Sequence, residues 1–77
     1  METIKMPKFG NPNMMRKISL TLVEAAAYGR DPLWRAYDVN WPSIPDVEFR
    51  MSEDGSGRVY RRAAALLDRA ERDNAID

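Results

Sequence analysis

The chain has 77 residues, of which 44% are hydrophobic and 31% are charged, with twelve basic residues, twelve acidic residues, no cysteine and no histidine. This composition excludes disulfides and the usual ligands of transition metals. It also lacks the side chains that most often catalyse reactions near neutral pH. We therefore expect a non-enzymatic protein without cofactor or metal. Zero net charge argues against binding nucleic acid by bulk charge. A chain this short buries only about 60% of the surface that it exposes when unfolded. We therefore expect one domain of marginal stability that needs a partner.

The first fifteen residues predict an extended arm. Pro7, Gly10 and Pro12 disfavour a helix through the middle of this segment. The segment nevertheless carries apolar side chains without a regular period, and methionine adapts well to irregular surfaces. Two interpretations stay open: a disordered terminus, and an arm that becomes ordered by lying across another chain. The apolar residues predicted to contact a partner are Ile4, Met6, Phe9, Met14 and Met15.

The next segment predicts a short helix over residues 22–28. Residues 16–20 alternate apolar and polar side chains, which fits either a short strand or a lead-in to this helix. Thr21 and Glu24 have the spacing of a capping box, in which each side chain accepts a backbone N–H from the other residue. Gly29 suits the left-handed position that follows a helix.

A second short helix is predicted near residues 32–39. Asp31 would cap this helix, and Pro32 would occupy its first position, where the missing N–H costs nothing. Aromatic side chains bury the most area per residue, so they are predicted to form the bulk of the core, with a partner-binding patch as the alternative. These aromatic residues are Trp34, Tyr37 and Trp41.

Two prolines within residues 41–46 predict a loop. The segment that follows, residues 46–52, is ambiguous. Apolar residues at every second position predict a strand, whereas the spacing of Ser43 and Asp46 fits the first turn of a helix. A helix is preferred, because a lone strand has no obvious partner other than residues 16–20 or the arm.

The clearest pattern predicts a long amphipathic helix over residues 57–73, with Ser56 as its N-cap after a turn at residues 53–57. At about 100° per residue, Val59, Ala63 and Leu67 lie within one apolar stripe. An arginine stripe lies on the opposite side. This stripe is interpreted as a solvated face, a contact for an acidic protein surface, or a contact for nucleic acid. Its members, predicted to bind a partner, are Arg58, Arg61, Arg62, Arg69 and Arg72.

These elements predict a mainly α fold, a small bundle of three to four short helices with an extended N-terminal arm. A short β element at residues 16–20 or 46–52 is the alternative within this fold. The domain organisation is an arm over residues 1–15 and a single small helical domain over residues 16–77. No residue is predicted to be catalytic, to bind a cofactor or to bind a metal.

The predicted function is a non-catalytic protein-interaction module, an accessory subunit or modulator that binds a larger protein, or a second copy of itself, through its arm and helical faces. The alternative is a small nucleic-acid-binding regulator that uses the arginine-lined helix 57–73. No apolar run is long enough to span a membrane, and the N-terminus lacks the apolar region of a signal peptide. A cytoplasmic location is therefore expected, without membrane contact.

Overall fold

The chain folds as an antiparallel sheet packed against a single helix. A computed structural model describes the backbone of residues 2–8 and 11–75 and the side chains of residues 16–74. The strands lie in the sheet in chain order, each antiparallel to the next, and the helix lies against all four of them. The elements are β1 (Glu2–Lys8), β2 (Asn11–Glu24), β3 (Leu33–Asp38), β4 (Val47–Arg50) and α1 (Arg58–Ala75).

The prediction of a mainly α bundle is wrong, and the fold is α+β. Within the described backbone, α1 is the single α-helix. The segment 22–28 lies in the end of β2 and in the loop after it, and the segment 32–39 contains β3. The segment 46–52, predicted as a helix in preference to a strand, contains β4, whose partner is β3. The helix predicted at 57–73 is confirmed, and it is the helical part of a domain that is otherwise built from strands.

Long-range strand pairing overrides the local helix signals in β2 and β3. Leu20 pairs with Ala36, and both side chains are buried beneath the helix. Thr21, the predicted capping residue, pairs instead with Arg35 across the same two strands. A two-turn helix makes few internal hydrogen bonds, whereas a central strand is bonded along both edges and buries every second side chain. The sheet therefore stabilises this sequence more than an isolated short helix would.

The core lies between α1 and one face of the sheet. The helix contributes the apolar stripe predicted for it, with Val59, Ala63 and Leu67 wholly buried. The sheet contributes alternate residues of β2 and β3, as strand geometry requires. The loop at residues 39–46 closes one side of the core through Ile44. The buried apolar residues are Ile18, Leu20, Ala36, Ile44, Val59, Ala63, Ala64 and Leu67.

The aromatic residues predicted as the bulk of the core lie at its margin. Trp34 and Trp41 are half-buried and pack against it. The indole N–H of Trp34 donates to the backbone carbonyl of Met51 at 2.9 Å, which satisfies its polar atom. Tyr37 follows the buried Ala36, so the alternation of a strand directs it to the face away from the helix. The three aromatic residues thus do not share one face. In the predicted helix, their spacing would have placed them on the same face.

The long helix begins one residue after the predicted position. The N–H of Arg61 donates to the carbonyl of Gly57 at 3.1 Å, so Gly57 takes the capping place predicted for Ser56. Gly57 has φ of 83°, a value that residues with a Cβ atom rarely adopt. The Ser56 hydroxyl donates instead to the carboxylate of Asp54. The turn predicted before the helix is confirmed.

Candidate interaction surfaces

The predicted arm supplies the edge of the sheet. Residues 2–8 form β1, which pairs with β2 from Glu2 opposite Leu20 to Lys8 opposite Asn11. Phe9 lies outside the residues that the structure describes, and so do the side chains of the other predicted arm contacts, Ile4, Met6, Met14 and Met15. Contact between these side chains and a partner stays a prediction.

The β2–β3 end of the sheet exposes apolar side chains. Leu22 and Val23, at the end of β2, are 50% and 41% exposed, and Tyr28, in the following loop, is fully exposed. The alanines at residues 25–27 are exposed as well. We name Leu22, Val23 and Tyr28 the apolar tip. Sequence reasoning missed it, because the same apolar residues were assigned to a short helix with a buried face.

The apolar tip begins where the burial of β2 ends. Ile18 and Leu20 are buried in the core, whereas Leu22, two residues further along the same face of the strand, is 50% exposed. The covered part of this face therefore ends between Leu20 and Leu22.

The loop that carries Tyr28 is an ordered turn. Ala27 and Arg30 exchange two backbone hydrogen bonds, of 3.2 and 2.9 Å, across a two-residue connection made of Tyr28 and Gly29. Gly29 has φ of 77°, which suits glycine at such a connection. An aromatic ring on a hydrogen-bonded turn loses less conformational entropy on binding than one on a flexible loop.

All five residues of the predicted arginine stripe are exposed on α1. We name Arg58, Arg61, Arg62, Arg69 and Arg72 the arginine face. Two of them are anchored near the start of the helix. Arg58 lies 3.4 Å from the carboxylate of Asp54, and Arg61 donates to the carbonyl of Ser56 at 3.2 Å. The remaining members lie further along α1.

The arginines of the sheet and its loops, in contrast, lie beside acidic side chains. Arg35 on β3 and Glu48 on β4 form an ion pair of 2.6 Å on the face away from the helix. Arg50 on β4 lies 3.3 Å from Glu24 on β2, and Arg30 lies 3.9 Å from the same carboxylate. These pairs are exposed, so each contributes little to stability.

Arg16 is unusual among the charged residues, because its side chain, like that of its partner Asp38, is wholly buried. Its Nη1 donates to Asp38 at 2.8 Å, and its Nη2 donates to Asp68 at 2.7 Å and to Glu71 at 3.1 Å. Its Nε also donates to Asp68, at 3.1 Å. One guanidinium from β2 thus connects β3 and α1.

The buried guanidinium stays charged. Burial opposes the charged form of Arg16, but hydrogen bonds to Asp68 and Glu71 outweigh that effect and raise the pKa of the guanidinium. Sequence reasoning missed this cluster. The available signal was alternation, because Arg16 stands two residues before Ile18 and four before Leu20, on the same face of the strand as these core residues.

Among the described residues, no group of three or more acidic side chains is arranged to hold a metal ion. No helix within residues 2–8 and 11–75 is long and apolar enough to cross a membrane. No protein-family model matches the chain, and no curated protein or solved structure matches it significantly.

Proposed function

We propose that the protein is a non-catalytic protein-interaction module, an accessory subunit or modulator that binds a protein partner through the apolar tip. The observation that carries this proposal is the position of Tyr28, fully exposed on a hydrogen-bonded turn at the end of the sheet where Leu22 and Val23 are also exposed. Tyrosine is enriched at protein interfaces, where its ring supplies apolar area and its hydroxyl supplies a hydrogen bond.

The size of the chain supports the same proposal. A domain of 77 residues without disulfides has a small margin of stability, and a partner that binds the folded state adds to it. Three of the four large apolar side chains exposed among the described residues belong to the apolar tip, so a partner that covers the tip buries apolar area. The partner is a larger protein or a second copy of this chain.

The proposal is tested by placing a photo-activated cross-linking amino acid at position 28 of the full chain in its native host. The matched control carries the same amino acid at Ser52, which is also exposed but lies outside the tip. We expect position 28 to cross-link one protein strongly, and position 52 to cross-link it weakly. That protein, purified, should then bind the wild-type chain and bind a Tyr28→Ser variant at least about tenfold more weakly.

Two results would contradict the proposal. One is equal cross-linking from positions 28 and 52, which would indicate random collision. The other is unchanged affinity of the purified partner for both Tyr28→Ser and a Leu22→Ser/Val23→Ser variant. Circular dichroism of each variant shows that it is folded, and all three substituted side chains are exposed, so folding should be retained.

A further inference from the structure

Two acidic residues of α1 near its C-terminus are directed away from the arginine face. Asp68 and Glu71 bond Arg16 on the sheet side, and their side chains are only 20% and 22% exposed. Among the helix side chains that the structure describes, Asp73 is the one exposed acid. Five exposed arginines, with Asp73 and the Asp54 carboxylate that lies 3.4 Å from Arg58, leave this face with a net charge of +3. Arg16 thus bonds two of the three acidic side chains described on α1, on the side that faces the sheet.

The arginines form a row along the helix. Arg58 and Arg62 are one turn apart, and Arg69 follows two turns later, so the three span about 17 Å on one side. Within the described side chains of residues 16–74, Arg62 and Arg69 make no ion pair. Their guanidinium groups can therefore receive carboxylates from outside the chain, in the bidentate geometry for which arginine is suited.

We infer that the arginine face binds an acidic segment of the protein partner. This segment lies along α1, with several of its carboxylates within reach of the arginines. This inference rests on the proposed function, because it takes the occupant to be a protein. The apolar tip and the arginine face are both exposed on this small domain, so one partner can place apolar groups on the tip and acidic groups on α1. A protein surface combines these two chemistries, with charge giving orientation and association rate.

Two observations favour a protein over a nucleic acid. The chain as a whole has no net positive charge, so a long polyanion would be repelled by the acidic residues elsewhere on the surface. Asp73 also lies exposed at the C-terminal end of the arginine face, where it would meet a continuous phosphate backbone. A short acidic segment can end before Asp73.

The test measures binding of a fluorescent peptide of about fifteen glutamates to the full chain by anisotropy, in about 50 and 150 mM salt. The helix variant is Arg62→Gln/Arg69→Gln/Arg72→Gln. The matched control is Arg30→Gln/Arg35→Gln/Arg50→Gln, which removes three exposed arginines from the sheet and its loops. Each variant has nine basic and twelve acidic residues, so both have a net charge of −3. A thymidine strand of similar length and charge is measured in parallel.

We expect the helix variant to bind the glutamate peptide at least about tenfold more weakly than wild type, and the control to differ by about twofold or less. Equal weakening in both variants would overturn the inference, because bulk charge would explain it. Tighter binding of the thymidine strand than of the peptide at the same salt would overturn it in favour of nucleic acid. Tyr28→Ser should bind the glutamate peptide as wild type does, so failure of this inference is distinguishable from failure of the proposed function.

Discussion

The guanidinium of Arg16 and the carboxylate of Asp38 form an ion pair of 2.8 Å in which neither side chain is exposed to solvent. The two residues are 22 positions apart and join β2 to β3. Because the same guanidinium also bonds Asp68, the pair connects the sheet to the C-terminal half of α1. A single side chain thus links three elements of the fold.

Removing Arg16 should strongly destabilise the protein. In Arg16→Met, Asp38 would remain buried without its cation, and such uncompensated charges cost about 3–5 kcal/mol. We expect the free energy of unfolding in urea to fall by about this amount, which approaches the total stability of a small domain. Arg35→Met is the matched control, because Arg35 is paired but exposed, and it should cost less than about 1 kcal/mol.

A double variant separates the unpaired charge from lost packing. Arg16→Met/Asp38→Leu removes both buried charges, so it should be more stable than Arg16→Met alone by about 2 kcal/mol or more. A double variant no more stable than the single variant would show that Asp38 is not the charge that Arg16 compensates.

Asp54 should titrate at unusually low pH. The Ser56 hydroxyl and the Ser56 backbone N–H both donate to its carboxylate, and Arg58 lies nearby, which lowers its pKa from 3.8 to about 2. Because the folded pKa lies below the unfolded value, the stabilising contribution is fully present above pH 3.8 and is lost as the pH falls through about 2.

The measurement is an NMR titration of the Asp54 carboxyl carbon. Ser56→Ala removes the hydroxyl donor and should move the Asp54 pKa upward, toward 3.8. Glu53→Gln is the control, because Glu53 accepts the N–H of Gly55 and makes no bond to Ser56. A wild-type Asp54 pKa of 3.8, unchanged in Ser56→Ala, would be at odds with a turn in which Ser56 donates to Asp54.

Two alanines of α1, one buried and one exposed, should differ in their response to enlargement. Ala63 is wholly buried against the sheet, whereas Ala65 is exposed on the other side of the helix. Ala63→Leu would overpack the core and should lower the free energy of unfolding by about 1–3 kcal/mol. Ala65→Leu should change it by less than about 0.5 kcal/mol. Equal effects in thermal or urea unfolding would show that the helix packs through another face.

The register of β2 and β3 can be tested with a disulfide, because the chain contains no native cysteine. Thr21 and Arg35 are direct partners across the two strands, so their Cα atoms lie about 4.5–5.5 Å apart, within disulfide range. Thr21→Cys/Arg35→Cys should therefore oxidise readily, as measured by loss of free thiols in the monomer.

The control for that register is Thr21→Cys/Glu48→Cys. Glu48 lies on β4 and pairs with Arg35 on β3, so it is one strand further from β2. Its Cα therefore lies about 10 Å from that of Thr21. This pair should keep its thiols free under the same oxidation. Ready oxidation of the control, with none in the test pair, would exclude a sheet in which β3 lies between β2 and β4.

Local sequence patterns identified the segments that local bonds hold together. The helix at 57–73, its apolar stripe and its exposed arginines were predictable because helical hydrogen bonds join residues four apart, so the pattern is complete within the segment. The loop at 41–46 was also predictable, because proline restricts the backbone locally through its ring and its missing N–H. The helices predicted at 22–28 and 32–39 were wrong, because capping signals at Thr21 and Asp31 describe the ends of a helix without showing that one forms.

The sequence by itself determined what this protein lacks, namely thiols, imidazoles and net charge, and it determined one amphipathic helix. The tertiary structure decided the rest. Strand partners such as Leu20 and Ala36 are distant along the chain, and pairing between them is visible only once the chain has folded. Arg16 is buried among carboxylates from two other elements, and Tyr28 is exposed, for the same reason. The surroundings of a residue depend on which distant segments pack against it and on where the covering helix ends.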